Sequence, residues 1–308
     1  MTTTARWVIG RGLLGSAIAE ICAEEPFSSP VPWLDSDRSI DELTASLHRF
    51  VGSAEADWEI YWCAGRGVTS TPSVAMATEV RVFEAFLSAI AAMPPDVVAG
   101  GRMFLASSVG GAYAGSGPTP FTEETPTHPS SAYGVAKLRM EASLTDLASR
   151  TGLRAFVARI TNLYGPGQDL GKGQGLISVI VESYVTGRSV SIYVPLDTLR
   201  DYIYVDDCAR VITAGMSRLV REPPGTSVIK IVGSMTTLSI GAIVGEMSRL
   251  RRKPVAIVLG QGDASGQASD LRVRSVVWPE LDALVATTLP EGLGAIYRAQ
   301  LARHMLPG

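Results

Sequence analysis

Two groups of residues in this chain have the types and the spacing that chemistry requires. The first is the turn Gly10-Arg11-Gly12-Leu13-Leu14-Gly15, which follows an apolar run over 6–9 and precedes an apolar helical pattern over 13–21. Glycines at a strand-to-helix turn allow backbone amides and the helix N-terminus to approach a pyrophosphate. The turn therefore predicts a dinucleotide-binding site.

The second group is Tyr133 and Lys137, which stand four positions apart. On a helix, side chains at this spacing share one face. An ammonium beside a phenol favours the phenolate, which can take a proton from a hydroxyl group. The pair alone is more typical of an amphipathic helix with a solvated lysine, but together with the glycine turn it predicts hydride transfer coupled to proton transfer.

The elements that must position these residues alternate between strand-like and helical segments, which predicts βαβ units on a parallel sheet. Strands are predicted at 7–9, 31–34, 59–63, 103–106, 155–160, 191–193 and 228–232. Helices are predicted from Leu13, over 80–93, from Tyr133, and over 176–185, 208–219, 240–250 and 293–304. The glycine-rich stretch 165–175 indicates the edge of a second lobe, and 260–267 a surface loop.

Composition and charge exclude several classes of protein. The 308 residues carry a net charge of −3 with both signs interspersed, so neither a nucleic-acid stripe nor a polybasic membrane patch is predicted. Cys22, Cys63 and Cys208 are far apart in apolar patterns, which favours reduced thiols, and the three histidines lack partners at metal-ligand spacing. Because residues 1–5 lead straight into a strand and no apolar run approaches a bilayer span, a cytoplasmic location is expected.

Taken in order, the motifs resemble those of the extended short-chain dehydrogenase/reductase family, whose members oxidise, reduce or epimerise nucleotide-diphosphate sugars. The resemblance covers nearly the whole chain. Its motifs are the glycine turn, Trp62-Cys63-Ala64-Gly65, Ala106-Ser107-Ser108, the Tyr133/Lys137 pair, Asn162-Leu163-Tyr164-Gly165-Pro166-Gly167 and Arg200-Asp201-Tyr202-Ile203-Tyr204-Val205-Asp206-Asp207.

The resemblance implies an α/β fold, a Rossmann doubly wound parallel sheet with a smaller C-terminal substrate-binding lobe. Residues 1–165 would form the dinucleotide-binding domain, with 197–235 returning to it, and residues 166–196 and 236–308 would form the lobe. A homodimer is expected, because many relatives pair through the helices that correspond to 79–93 and 133–148.

The resemblance also implies roles for individual residues. Tyr133 would exchange a proton with a sugar hydroxyl, Lys137 would bind the nicotinamide ribose, and Ser108, or Ser107 in its place, would hold the substrate oxygen. The implied cofactor contacts are Gly10, Arg11, Gly12, Leu13, Leu14, Gly15, Asp35, Arg38, Cys63, Ala64, Gly65, Ser107, Tyr133 and Lys137. The implied substrate contacts are Ser108, Asn162, Arg200 and Arg272, and no metal is implied.

The charged residues near the glycine turn bear on the choice of cofactor. Asp35 lies about 20 residues after Gly15, where a carboxylate can bind the adenosine ribose and repel a 2′-phosphate, which favours NAD. Arg11 and Arg38 favour NADP instead, because guanidinium groups bind phosphate. We expect NAD, with NADP as the alternative.

Three positions depart from the family's pattern. The first glycine of its GxxGxxG turn falls on Ile9, and the third residue of its serine run is Val109. The helix after Cys63 usually offers an asparagine, whereas this chain offers Thr78, Glu79 or Arg81.

The motifs narrow the reaction to two possibilities. Val109-Gly110-Gly111 stands where the family's dehydratases carry an acidic pair and its decarboxylases a glutamate, so neither reaction is favoured. Epimerisation through a transient keto-sugar remains, at C4 as in relatives, and so does reduction of a keto-sugar by NADPH. We expect the epimerase. A non-catalytic dinucleotide-binding module is the alternative from another class, because fold does not fix function.

Overall fold

The computed structural model describes residues 4–54, 57–172, 175–252, 254, 257–260 and 268–305. Its strands are β1 (Ala5–Ile9), β2 (Trp58–Trp62), β3 (Gly101–Ser108), β4 (Arg154–Ile160), β5 (Asn162–Tyr164), β6 (Val190–Ile192), β7 (Leu199–Tyr204), β8 (Ser227–Val232), β9 (Thr237–Ser239) and β10 (Ile257–Leu259). Its α-helices are α1 (Leu13–Glu20), α2 (Ser36–Ser53), α3 (Ser73–Ala91), α4 (Pro95–Ala99), α5 (Val109–Tyr113), α6 (Ala132–Thr151), α7 (Leu176–Thr186), α8 (Val205–Leu219), α9 (Ile240–Arg251) and α10 (Leu289–Met305).

A parallel sheet in the order β1-β2-β3-β4-β8 forms the centre of the molecule. Side chains alternate along its strands, so that Trp7 and Ile9 enter the core under α2, α3 and α6, while Val8 enters the core under α1 and α8. Burial on both faces explains why these strands read as continuous apolar runs. The predicted α/β fold with a parallel sheet covered on two faces is confirmed.

The prediction of a strand at 31–34 is wrong. These residues, all within the described part of the chain, form no strand, and a single parallel bridge between Trp7 and Phe27 is what pairs with the outer edge of β1. Pro30 and Pro32 have no N–H group to donate to a ladder, which limits pairing to the residues before them.

Helix α2, which the sequence analysis missed, follows this segment. Its apolar residues Leu43, Leu47 and Phe50 recur at helical spacing and are buried against the sheet. Its N-cap is Asp35, whose carboxylate accepts hydrogen bonds from the backbone N–H groups of Asp37 and Arg38. Asp35 therefore marks the start of the helix, and an aspartate at this position is a sequence signal for a helix N-terminus.

The later part of the chain builds a separate, smaller core. β7 pairs with β5 and β9, β6 pairs with β10, and apolar residues of α7, α9 and α10 pack together beside them. β8 returns to the central sheet. The domain boundaries stay a prediction, and the predicted loop at 260–267 lies outside the described residues apart from Gly260. No helix among the described residues is long and apolar enough to cross a membrane.

Candidate active site

The glycine turn packs tightly between β1 and α1. Gly10 has a φ of +89°, and a Cβ atom there would lie 2.5 Å from the backbone N and Cα of Ala64. A Cβ atom on Gly15 would overlap the carbonyl oxygen of Gly10. Both glycines are therefore required for the turn to close against the chain that follows β2.

The N-terminus of α1 is open to an anion. Its N-cap, Gly12, offers no side-chain acceptor, and within the described chain the first turn carries no acidic residue. The first amides of a helix lack intrahelical partners and carry partial positive charge. An open helix N-terminus next to two close-packed glycines fits a dinucleotide pyrophosphate.

A groove continues from the turn along the outer edge of β1. It is lined by Trp7, Val8, Ile9, Gly10, Arg11, Ser28, Ser29, Pro30, Val31 and Trp33. The ring of Trp33 is 44% exposed and stands edge-on to Trp62, with 6.4 Å between their ring centroids. The groove's position beside the glycine turn and its lining of apolar side chains together with Arg11, Ser28 and Ser29 suit the adenosine half of a dinucleotide.

The structure does not bring Asp35 and Arg38 into this groove. Neither is among the described residues that line it, both are exposed, and the Asp35 carboxylate is engaged by the N-terminus of α2. Arg11 does line the groove, with its guanidinium 3.7 Å from the exposed carboxylate of Glu25. Contacts of Asp35 and Arg38 with the cofactor stay a prediction.

The capping geometry leads us to expect that Asp35→Ala lowers the free energy of unfolding by about 1 kcal/mol, because two amides of α2 lose their acceptor. Urea denaturation measures this loss, with the exposed Asp41→Ala on the same helix as the control. Titration with NAD and NADP tests the predicted ribose contact separately. A selective loss of NAD affinity at unchanged stability would contradict the capping role and assign Asp35 to the ribose.

Tyr133 and Lys137 lie on the first turns of α6. The helix begins early because Ser131 caps it, accepting a hydrogen bond of 3.1 Å from the N–H of Gly134. Lys137 is only 8% exposed, donates from Nζ to the carbonyl of Ala106 at 3.1 Å, and lies 5.7 Å from the Tyr133 ring centroid. The alternative of a solvated lysine on an amphipathic helix is therefore wrong.

Two glycines flank the ring of Tyr133. A Cβ atom on Gly67 would lie 3.3 Å from Cδ2 of the ring, and one on Gly111 would lie 3.2 Å from Cε1. A Cβ atom on Gly111 would also lie 3.3 Å from Cβ of Ser108. The Oγ atom of Ser108 accepts a hydrogen bond from the N–H of Gly111 and caps α5. The structure thus gathers Ser108, Tyr133 and Lys137 at the carboxyl ends of the central strands.

Ser107 faces a different environment from its neighbour. Its hydroxyl donates to the carboxylate of Glu141, which also accepts a hydrogen bond of 2.7 Å from Nη2 of Arg159. Nη1 of Arg159 donates to the phenol oxygen of Tyr113 at 2.6 Å, and all four side chains are buried. This network joins β3, α6, β4 and α5 and occupies the Ser107 hydroxyl, and the role of Ser108 as the partner of Tyr133 stays a prediction.

The segment Cys63-Ala64-Gly65 follows β2 and forms the floor between the glycine turn and Lys137. Burial raises the pKa of the Cys63 thiol to about 12, so it stays protonated at neutral pH. A protonated thiol is a poor nucleophile, and the cofactor contacts of Cys63, Ala64 and Gly65 stay a prediction.

Arg200 is a buried cation that makes no salt bridge with any residue in the described part of the chain. It is 8% exposed and donates to the carbonyls of Leu199 and Ala268, and no carboxylate of the described residues lies within ion-pairing distance. Burial lowers the pKa of its guanidinium, yet arginine stays charged at neutral pH. An unpaired buried charge is costly and an anionic ligand would offset that cost, while a substrate contact of Arg200 stays a prediction.

The other predicted substrate contacts differ from Arg200. Arg272 is neutralised by Asp270, with an ion pair of 2.8 Å, and this bond raises the pKa of the guanidinium. Asn162 donates from Nδ2 to the carbonyl of Asp201 at 2.8 Å, which ties the start of β5 to β7. Substrate contacts of both residues stay a prediction. Among the described residues, no group of histidine, cysteine and acidic side chains could hold a metal ion.

Comparison with known proteins identifies relatives for most of the chain. The model of the NAD-dependent epimerase/dehydratase family matches residues 8–229. The chain is 27% identical over 155 residues to dTDP-4-dehydro-6-deoxyglucose reductase of Escherichia coli, covering 50% of this chain and 47% of the relative. It is 32% identical over 111 residues to UDP-glucose 4-epimerase of Mycolicibacterium smegmatis, covering 36% of each. These matches span less than half the length of either relative.

Solved structures share the fold over nearly the whole chain. UDP-glucose 4-epimerase of Thermotoga maritima superposes with a TM-score of 0.76 at 20% identity, covering 99% of this chain and 100% of that one. MoeE5, solved in complex with UDP-glucose and NAD, superposes with a TM-score of 0.75 at 21% identity and the same coverage.

Proposed function

Because the chain belongs to the NAD-dependent epimerase/dehydratase family, we propose that it is an enzyme that uses NAD to epimerise a nucleotide-diphosphate sugar through a transient keto-sugar, most simply at C4. The observation that carries this proposal is the buried Lys137 beside Tyr133, with Ser108 on the other side of Gly111. A buried ammonium facing a phenol at the carboxyl edge of the sheet is suited to moving a proton.

The chain's own residues divide the work between binding and proton transfer. The glycine turn and the N-terminus of α1 bind the pyrophosphate of NAD, which supplies a hydride acceptor when bound. Tyr133 takes the proton of the sugar hydroxyl and returns it when the keto-sugar is reduced on its other face. The Lys137 ammonium stabilises the phenolate, and Ser108 donates a hydrogen bond to the sugar oxygen.

Arg200 fixes the other end of the substrate in this proposal. Its guanidinium is held by two carbonyls and makes no salt bridge among the described residues, since Asp270 attracts it only at longer range, so a diphosphate can supply a direct counter-charge. Binding energy gained far from the reacting carbon then orients the sugar at Tyr133.

A second candidate function is reduction of a keto-sugar by NADPH. It is favoured by the groove beside the glycine turn, which is lined by Arg11 and not by Asp35 among the described residues. Without a carboxylate on the ribose and with a guanidinium beside it, a 2′-phosphate can be accommodated.

A panel of UDP-, dTDP-, GDP- and CDP-sugars with NAD or NADPH separates these functions, with sugar identity followed by NMR and cofactor by absorbance. A new epimer without net cofactor turnover is the expected result. Stoichiometric oxidation of NADPH with a keto-sugar would establish the reductase instead. Tight cofactor binding with no reaction on any sugar would favour a binding module.

The proposal includes a cellular location and an oligomeric state. The protein acts in the cytoplasm, and it forms a homodimer through the outer faces of α3 and α6, which pack side by side against the sheet. Light scattering after size-exclusion chromatography measures the mass, and a monomer at micromolar concentration would contradict the dimer.

A further inference from the structure

Glu79 on α3 is an acidic residue in the region where the family's pattern carries an asparagine. It is partly buried, and its Oε1 atom accepts hydrogen bonds from the backbone N–H groups of Arg66 at 2.8 Å and Gly67 at 2.9 Å. Two amides that converge on one carboxylate oxygen form charge-assisted bonds, which are stronger than those to a neutral acceptor. The carboxylate therefore fixes the backbone that follows Gly65.

The backbone that Glu79 holds lies beside both members of the proton-transfer pair. A Cβ atom on Gly67 would lie 3.3 Å from Cδ2 of Tyr133, and on its other side it would overlap the thioether of Met76. A Cβ atom on Gly65 would lie 3.2 Å from Oε2 of Glu79 and 3.7 Å from Nζ of Lys137. Residues 65–67 thus lie between Glu79 and Met76 of α3 on one side and Tyr133 and Lys137 of α6 on the other.

We propose that Glu79 is a positioning residue: its carboxylate holds residues 65–67 as the wall that orients the ring of Tyr133. Met76 backs the same wall, and Gly111 closes the opposite side of the ring. If the carboxylate is removed, two amides lose their acceptor and the wall can move away from the ring. As far as it concerns turnover, this inference rests on the proposed function.

The test compares Glu79→Gln with Glu79→Ala. Glutamine keeps an oxygen acceptor of equal reach, whereas alanine removes it. We expect Glu79→Ala to lower kcat by about 30- to 100-fold, with the substrate KM changed less than about threefold, because small misplacements of a reacting group slow chemistry more than binding. Glu79→Gln restores at least about a third of the wild-type kcat, since a neutral acceptor keeps the geometry with weaker bonds.

Glu84→Ala is the matched control. Glu84 lies on the same helix and binds Arg139 and Ser143 of α6, away from the wall. Removing the Glu84 carboxylate loosens the contact between the two helices without freeing residues 65–67. Because an exposed ion pair contributes little to stability, we expect a kcat within about twofold of wild type.

Hydrogen exchange of the cofactor-free protein supplies a readout that does not depend on turnover. The amides of Arg66 and Gly67 are expected to be protected in the wild type and in Glu79→Gln, and to exchange faster in Glu79→Ala. Unchanged exchange or unchanged kcat in Glu79→Ala would overturn the inference, and so would a Glu79→Gln variant as slow as Glu79→Ala. A wild-type protein inactive on every sugar would overturn the proposed function, while exchange would still decide whether Glu79 holds the wall.

Discussion

Tyr133→Phe is expected to lower the turnover of the sugar substrate by about 10³-fold while leaving NAD affinity unchanged, because proton transfer by a positioned side chain contributes on this scale. Phenylalanine keeps the ring that lies between Gly67 and Gly111, so the space between these two glycines stays filled. What is lost is the hydroxyl that exchanges a proton with the sugar. Steady-state rates with the substrate found by the panel, together with a fluorescence titration of NAD, measure the two quantities.

Tyr297→Phe is the control for this substitution. Tyr297 lies on α10 against the smaller core, with the guanidinium of Arg251 4.1 Å from its ring centroid. This phenol lies on the outer helix of the lobe, so its removal is expected to leave the rate unchanged. Full activity in Tyr133→Phe would remove Tyr133 from the mechanism, and an equal loss in both variants would indicate general damage.

Arg200→Met is expected to raise the KM for the nucleotide sugar by about 100-fold with kcat changed far less, because the side chain binds the diphosphate rather than the reacting carbon. Methionine fills a similar volume without charge. Since the guanidinium is buried without an acidic partner among the described residues, its removal relieves a desolvated charge. The free energy of unfolding is therefore expected to change by less than about 1 kcal/mol despite the large loss of affinity.

Arg249→Met separates diphosphate binding from a general effect of charge on the same lobe. Arg249 on α9 is exposed and paired with Glu246, so the substitution removes one positive charge outside the proposed site. We expect its KM to equal that of the wild type. A KM for Arg200→Met close to that of the wild type, or an equal rise in both variants, would contradict a dedicated contact between Arg200 and the diphosphate.

The fold was predictable from the sequence where periodicity and local geometry agree. The spacing of Tyr133 and Lys137 predicted one helix face, and α6 carries both. The predicted strand at 31–34 is wrong because Pro30 and Pro32, which stand before and within the apolar run, cannot donate to a strand ladder. Helix α2 was missed although Asp35 is a typical N-cap ahead of apolar residues at helical spacing.

The surroundings of the site were not predictable from residue spacing, because they depend on packing between distant elements. Ser107 and Glu141 are separated by 34 residues, and Glu141 and Arg159 by 18. Nothing in the local pattern of either strand or helix signals that these side chains meet. The same holds for Glu79, whose hydrogen-bond donors are backbone amides 12 and 13 residues earlier in the chain.

The single bridge between Trp7 and Phe27 has a thermodynamic consequence for ligand binding. Ser28, Ser29, Pro30, Val31 and Trp33 line the groove, yet beyond that bridge the segment is held to α2 by a few side-chain hydrogen bonds and by packing rather than by a ladder of strand hydrogen bonds. Such a segment opens at a lower free energy than the paired strands beside it. A ligand that binds only the closed segment shifts this local equilibrium, so part of its intrinsic affinity is consumed in ordering the groove.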